Sequence, residues 1–443
     1  MNLLATRRGR LAAFFLLYVT EGIPSGFTGV AVATRMRRLG LDPAAIGMFT
    51  AALLLPWAVK WAFGPFVDVV SSDRWGRRRG WILGTQVLMS ITILLAMGVD
   101  MRASLTLFTW VLVAHNLCSA VQDVAIDALA VQVLRGDERG LANGLMFGGQ
   151  YLGSALGGTG ALFLASVAGF PVTFIAVSAA IALVTAVVAW PMREPPGPPR
   201  PPLGLRSVGQ GIASFVRDTA RSFTGSRAAL AAIVLALLPM GGYALSLSLQ
   251  SNLAVELGLT DRQVGTLSLL STLLSAGFCV LGGWVSDRWG RRRSLATFII
   301  GTTLPTFAMA AAMQHFHWIL PVSPLLANRP VPAPELVSLF WSLTLAYAVF
   351  QGLMYGVGTA IFMDVTNPLV AATQFTGYMA LSNLVYSYSA AWQGHAAVAW
   401  GYPATLLIDG AFGLLSVLVL PLMGPLAAGG APKTAPEASQ REA

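Results

Sequence analysis

The chain has 443 residues, 55% of them hydrophobic and only 11% charged, with a net charge of +9 and a mean hydropathy of +0.68. Soluble globular domains carry about 25% charged residues, so this composition leaves almost no room for a soluble enzyme, and its apolar content argues against disorder. The apolar stretches run for about 20 residues, the length that spans a bilayer as a helix, and they do not alternate as the strands of a membrane barrel would.

The expected fold is therefore an all-α polytopic membrane protein. Twelve spans are predicted at roughly 11–34, 43–66, 81–99, 104–134, 141–165, 171–191, 228–252, 262–285, 294–313, 336–363, 373–395 and 401–424. The first follows Arg7, Arg8 and Arg10 and continues past Gly29 without a small-residue cleavage pattern, which marks a spanning helix and not a signal peptide. Residues 1–191 form a first six-helix bundle and 228–424 a second. The linker 192–227 opens with Pro195, Pro196, Pro198, Pro199, Pro201 and Pro202 and then carries Arg206, Arg217 and Arg221. Such proline density forbids a packed helix, while the later part suits an amphipathic helix on the membrane surface. The Ala/Gly/Pro-rich tail 425–443 is expected to be a disordered cytoplasmic segment. With both termini cytoplasmic, 21 of the 28 basic residues fall on the cytoplasmic side and six on the other, as the positive-inside rule requires. Arg35, Arg37 and Arg38 run against the rule locally.

The heptapeptide Asp73-Arg74-Trp75-Gly76-Arg77-Arg78-Arg79 recurs unchanged as Asp287-Arg288-Trp289-Gly290-Arg291-Arg292-Arg293. Each copy follows the second span of its half, the mark of a duplicated six-helix unit. Parallel six-span repeats with a substrate site between the halves describe the major facilitator architecture. The second copy, read from Gly283 through Asp287, Arg288, Gly290 and Arg291, resembles that superfamily's signature loop throughout. The first has Gly64 and Asp68, then an insertion before Asp73, so either aspartate can take the acidic part beside Arg74, Gly76 and Arg77. A carboxylate at a helix end can pair with arginines and with a neighbouring helix N-terminus, and so gate the rocking halves. The plainer reading is a positive-inside anchor.

Charges in the hydrocarbon region cost about 2.5–3.5 kcal/mol each on insertion scales and mark function. Glu21 lies mid-span in the first helix and Lys60 in the second. Asp123 and Asp127 share one face of the fourth, extending a stripe begun by Asn116 and Ser119. Two carboxylates one turn apart repel, which favours an exchangeable proton. These residues are the candidates for proton coupling, with Lys60 as counter-charge; a static cluster tying spans one, two and four is the other reading. Asp409, alone in span twelve, reads as helix-tying or cytoplasm-near.

Polar and aromatic residues recur at helical spacing elsewhere: Asn143, Phe147, Gln150 and Tyr151 in span five, and Tyr243, Ser246 and Gln250 in span seven. Span ten carries Tyr347, Gln351 and Tyr355, and span eleven Gln374, Tyr378 and Ser382. Amides, hydroxyls and rings facing a cavity suit a polar organic solute; interhelical hydrogen bonding is the alternative. No arginine lies deep in a predicted span, which argues against polyphosphate substrates. Cys118 and Cys279 have no metal spacing around them, the four histidines are scattered, and nothing forms a nucleophile–base set. The sequence therefore points to no enzyme, metal or cofactor.

The segment Leu117-Cys118-Ser119-Ala120-Val121-Gln122-Asp123-Val124-Ala125-Ile126-Asp127-Ala128 resembles the fourth helix of AmpG-like permeases. Leu55-Pro56-Trp57-Ala58-Val59-Lys60-Trp61, Gly64-Pro65-Phe66-Val67-Asp68 and Asp137-Glu138-Arg139-Gly140 resemble the same group. The resemblance is dense over 11–165 and thinner after 228. It implies a bacterial inner-membrane transporter, monomeric and proton-coupled, with site residues at Lys60, Gln122, Asp123 and Asp127. Its partners would be a small-molecule substrate, protons and the bilayer, with no nucleic acid. A muropeptide is the first expectation for that substrate. Ala130 and Val131, where muropeptide permeases often carry a basic residue, and the span number of twelve keep a siderophore importer open. A non-transporting membrane sensor or assembly factor is the alternative from another class.

Overall fold

The computed structural model describes residues 2–69, 75–134, 139–194, 223, 227–365 and 371–423. The expectations for Asp73, for Arg74, for most of the linker and for the tail lie outside the described residues. Among the described residues nine helices are long and apolar enough to cross a bilayer. In chain order we number the helices α1 (Arg7–Arg38), α2 (Pro43–Ala58), α3 (Gly64–Val69), α4 (Arg79–Met97), α5 (Leu105–Val133), α6 (139–168) and α7 (Phe170–Ala189). There follow α8 (Arg227–Leu237), α9 (Ser248–Glu256), α10 (Asp261–Trp289), α11 (Arg291–His315), α12 (Pro334–Val365), α13 (Ala371–Trp400) and α14 (Tyr402–Val419).

Local chemistry sets several ends. Thr6 caps α1 through the Gly9 N–H at 3.1 Å. Asp42 caps α2 through the Ala45 N–H at 2.7 Å, with Pro43 in the first turn, where its missing donor costs nothing. A reciprocal Thr260–Gln263 capping box starts α10. Outside the membrane, Asp100 accepts the N–H groups of Arg102 and Ala103, which holds its carboxyl below the usual range.

Two expectations are corrected. The first span does not end before the Arg35–Arg38 cluster: α1 runs through it, by way of a π-helical segment Phe27–Val32 that follows Pro24. Span seven is not one helix. It stops at Leu237 and resumes at Ser248, because Pro239 removes a backbone donor and Gly241 sits at φ +91°. Span two also bends, through a 3₁₀ turn Lys60–Phe63 between α2 and α3.

The helices close on each other through small residues, the usual solution where lipid offers no hydrophobic drive between them. Along α1 and α6, a Cβ on Gly22, Gly26, Gly153 or Gly157 would overlap the opposite backbone. Gly282, Gly352 and Gly356 make the corresponding seam of α10 and α12. Across the halves, α2 meets α13, where Ser387 donates to the Ala51 carbonyl at 2.7 Å, and α6 meets α10, where Thr159 donates to the Gly265 carbonyl at 2.8 Å.

Candidate substrate pathway and gate

The charge cluster forms where α1, the bend of span two and α5 meet. The 3₁₀ turn brings the Lys60 Nζ to 2.6 Å from Asp123 Oδ2. Tyr18, one turn before Glu21 on α1, donates to Asp127 Oδ1 at 2.6 Å. Glu21 is 1% exposed, and among the described residues no hydrogen-bond donor serves either of its carboxyl oxygens. Glu21, Asp123, Asp127 and Lys60 all lie within electrostatic reach of one another. Asp123 is buried, whereas Asp127, one turn further on, is exposed. The cluster therefore runs from a carboxyl with accessible surface to one with almost none, with three acids around one lysine.

A cavity of about 390 Å³ lies between the halves. That is within the range of roughly 300–1,000 Å³ for small-molecule sites. Gln150 and Tyr151 of α6 line it from one side, and Tyr347, Gln351 and Tyr355 of α12 from the other. Ser25 of α1, Tyr386 of α13 and a run of hydroxyls at Ser268, Ser271, Thr272 and Ser275 on α10 also line it; the four hydroxyls recur at i, i+3, i+4 and i+7, one helix face that the sequence reading did not single out. Tyr355 is also within electrostatic reach of Lys60, so cavity and cluster adjoin.

Other predicted ligands do not line this cavity. Asn116 is spent on packing: it accepts from Trp57 Nε1 at 3.3 Å and donates to the Leu112 carbonyl at 3.0 Å. Gln122, fully buried, donates to Thr20 of α1 at 3.1 Å. Tyr243 is stacked behind Tyr386 with centroids 4.8 Å apart. Gln374 donates to the Tyr378 hydroxyl at 2.9 Å, and Tyr378 is stacked on Phe362 within the second half. In each case an inward polar residue serves helix packing. Asn143 sits on α6, but its side chain lies outside the described residues.

Both copies of the repeated loop hold their glycine in the left-handed region, Gly76 at φ +89° and Gly290 at φ +88°, where a side chain would be strained. In the first copy Glu194, just beyond α7, accepts the Arg78 N–H at 2.8 Å and also the Arg79 N–H, capping α4. The Arg79 guanidinium bonds the carbonyls of Ala189 and Trp190 at the end of α7. A carboxylate thus meets the N-terminus of α4, supplied by Glu194, which the motif does not contain. In the second copy Arg288 lies 3.8 Å over the Trp284 ring. Arg77 and Arg291 are also engaged. Gly283 lies within α10 with open space where a Cβ would be. The Asp68 and Asp287 side chains lie outside the described residues.

The opposite end of the bundle carries contacts that the sequence did not announce. Arg37, at the end of α1, pairs with Glu256 at the end of α9; their side chains are 2% and 0% exposed. Arg37 also donates to the carbonyls of Leu41 and Val322, both at 2.8 Å. Glu256 accepts from the Tyr402 hydroxyl at 2.6 Å and the Val322 N–H at 3.1 Å. Beside it, Arg38 meets Asp261 at 2.5 Å. Arg37 and Arg38 thus form a latch between the halves, while Arg35 stays within the first half over the Phe170 ring. The signal available was the misplaced cluster itself.

A helical bundle with nine membrane-length helices among its described residues, a duplicated loop, a cavity between its halves and ion pairs across them has the build of a secondary transporter. A model of the Major Facilitator Superfamily matches residues 13–327 and again 231–442. The chain belongs to this superfamily, and its relatives are AmpG-like. It is 27% identical over 384 residues to the anhydromuropeptide permease of Escherichia coli (strain K12), covering 84% of this chain and 71% of that one. Among solved structures, a D-xylose–proton symporter superimposes with a TM-score of 0.69 at 13% identity, covering 94% of this chain and 97% of the other. A POT family transporter in complex with a thioalcohol-conjugated peptide gives 0.69 at 11%, covering 93% and 95%.

Proposed function

We propose that this membrane transporter is a proton-coupled importer of muropeptides working by alternating access, monomeric in a bacterial inner membrane with both termini cytoplasmic. The observation that carries the coupling is the graded cluster: exposed Asp127, held by Tyr18, leads to buried Asp123 on Lys60 and to Glu21, which has no donor among the described residues. Three acids on one lysine leave a place for a proton that can move between membrane faces as the halves rock. The muropeptide assignment rests on the name of the Escherichia coli relative and on the cavity. Tyr151, Gln150, Gln351 and the α10 hydroxyls offer aromatic faces for a sugar and neutral donors and acceptors for a peptide. On this reading the latch lies on the outer face and its engagement closes the carrier to the outside.

Uptake by proteoliposomes tests the reading. Labelled anhydromuropeptide and a labelled ferric siderophore are offered in parallel, with and without a protonophore. Muropeptide accumulation that the protonophore abolishes is expected; siderophore accumulation instead would reassign the substrate, and uptake of neither would favour a non-transporting role. Asp127→Asn should abolish uphill accumulation and retain counterflow exchange. Normal accumulation by that variant would remove Asp127 from the coupling path.

A further inference from the structure

We propose that Asp409 is a positioning residue for the substrate cavity: from behind, it holds the broken centre of span seven so that Leu245, Ser246 and Gln250 face the solute. The inference rests on the cavity's being the substrate site. Between α8 and α9 the backbone leaves the helix inside the membrane, where every freed N–H needs a partner. Asp409 of α14, 1% exposed, supplies one: its Oδ2 accepts the Ala244 N–H at 2.9 Å. Its Oδ1 accepts from Gln393 Nε2 of α13 at 2.6 Å. Asp409 thus joins α13, α14 and the break, at the turn that leads into α9, where negative charge is favoured.

The geometry around this contact is tight. A Cβ on Gly242 would lie 2.9 Å from Asp409 Oδ2 and 3.1 Å from Thr306 Oγ1. A Cβ on Gly413 would overlap the Gly241 backbone. The break is therefore pressed against α14 and shaped by it. On its other side the same segment presents Leu245, Ser246 and Gln250 to the cavity, and Ser246 Oγ lies 3.2 Å from the Tyr347 hydroxyl. Asp409 itself is not on the cavity wall. Its effect on a solute must pass through the backbone it holds.

Hydrogen bonding and proton carriage predict opposite results for an isosteric amide. In Asp409→Asn the amide oxygen can still accept from Ala244. Gln393, whose Oε1 has no donor among the described residues, can turn over to accept from the new NH₂. Asp409→Leu offers neither bond. For anhydromuropeptide uptake, Asp409→Leu should raise KM at least tenfold with Vmax within threefold, and Asp409→Asn should restore KM to within twofold. Gly242→Ala, which intrudes on the same contact, should mimic Asp409→Leu and decides the matter if that variant does not reach the membrane. A second arm needs no substrate: Ser246→Cys, with Cys118 and Cys279 replaced by serine, is alkylated with N-ethylmaleimide. Its rate should change at least tenfold in Asp409→Leu and return in Asp409→Asn. Unchanged KM and unchanged alkylation in Asp409→Leu and Gly242→Ala would overturn the proposal. So would loss of accumulation with retained exchange in Asp409→Asn, since that is the signature of a proton carrier. If the parent protein takes up no muropeptide, the function proposed above fails, and the alkylation arm alone decides the role of Asp409.

Discussion

Truncating Glu256 to alanine leaves the Arg37 guanidinium in a site where its side chain is 2% exposed. The carbonyls of Leu41 and Val322 remain, but the counter-charge is gone. Removing one partner of a buried ion pair costs about 3–5 kcal/mol, because the other charge stays desolvated. That cost applies only while the halves are latched: once they part, Arg37 meets water. The closed end therefore loses about 3–5 kcal/mol against the open one, a shift of roughly 10²- to 4 × 10³-fold at about 1.4 kcal/mol per factor of ten. Arg38 and Asp261 sit beside the latch but are each 31% exposed. An exposed pair is worth about 0.2–1 kcal/mol, so Asp261→Asn should shift the equilibrium less than about fivefold. Spin labels at Ala103→Cys and Asn328→Cys, exposed loop positions of opposite halves, report the separation in a background without native cysteines. Glu256→Ala should move most of the distance distribution to the longer, open population, and Asp261→Asn should leave it near the parent. Equal distributions for Glu256→Ala and the parent would refute the latch and the magnitude together.

Two further outcomes follow from the packing. Glu194→Ala removes the cap from α4, a loss of about 0.5–2 kcal/mol, and should lower the melting temperature of the detergent-solubilised protein; an unchanged melting curve would show that the Arg78 and Arg79 N–H groups find other acceptors. Gly153→Leu drives a side chain into the Val19 carbonyl across the α1–α6 seam and should abolish folded expression, whereas Gly148→Leu, with open space at its Cβ, should express normally by fluorescence-detected size exclusion.

What could be read from the sequence was whatever a single helix declares. An apolar run of span length declares itself, and so does the Asp123/Asp127 face, because spacing along one helix fixes direction. The repeated loop was legible as a repeat. What the loop holds was not, since Glu194 comes from a different helix end, 115 residues after Arg79. The Arg37–Glu256 pair, 219 residues apart, was visible only as an unexplained exception to the charge rule. The polar stripe of span eleven is ambiguous for a different reason. Gln374 and Tyr378 point inward, but an inward stripe can face the cavity or its own bundle, and periodicity is the same in both cases. Span seven was read through Pro239, Gly241 and Gly242 because its average hydropathy is high; the local breakers, given more weight, mark the break.

On the function proposed here, α1 is the element that must relay between proton and gate. It carries Tyr18 and Glu21 at the charge cluster, Ser25 and Val30 at the cavity wall and Arg37 at the latch. Glu21 and Arg37 are sixteen residues apart, about 24 Å along a helix rising 1.5 Å per residue. Coupling across such a distance needs an element with two discrete placements that both sites bias. The glycine seam makes α1 and α6 move as a pair, since neither backbone can slide past the other without a clash. A proton that changes the Tyr18–Asp127 contact then acts on the same rigid body that holds half of the latch. The π-helical segment Phe27–Val32 lies between the two, and such segments recur at functional sites because one extra residue per turn can be relocated along a helix. The latch variant and Asp127→Asn therefore perturb opposite ends of one lever. Their effects on accumulation should be non-additive, as expected for sites that share a moving element and not for two that are independent.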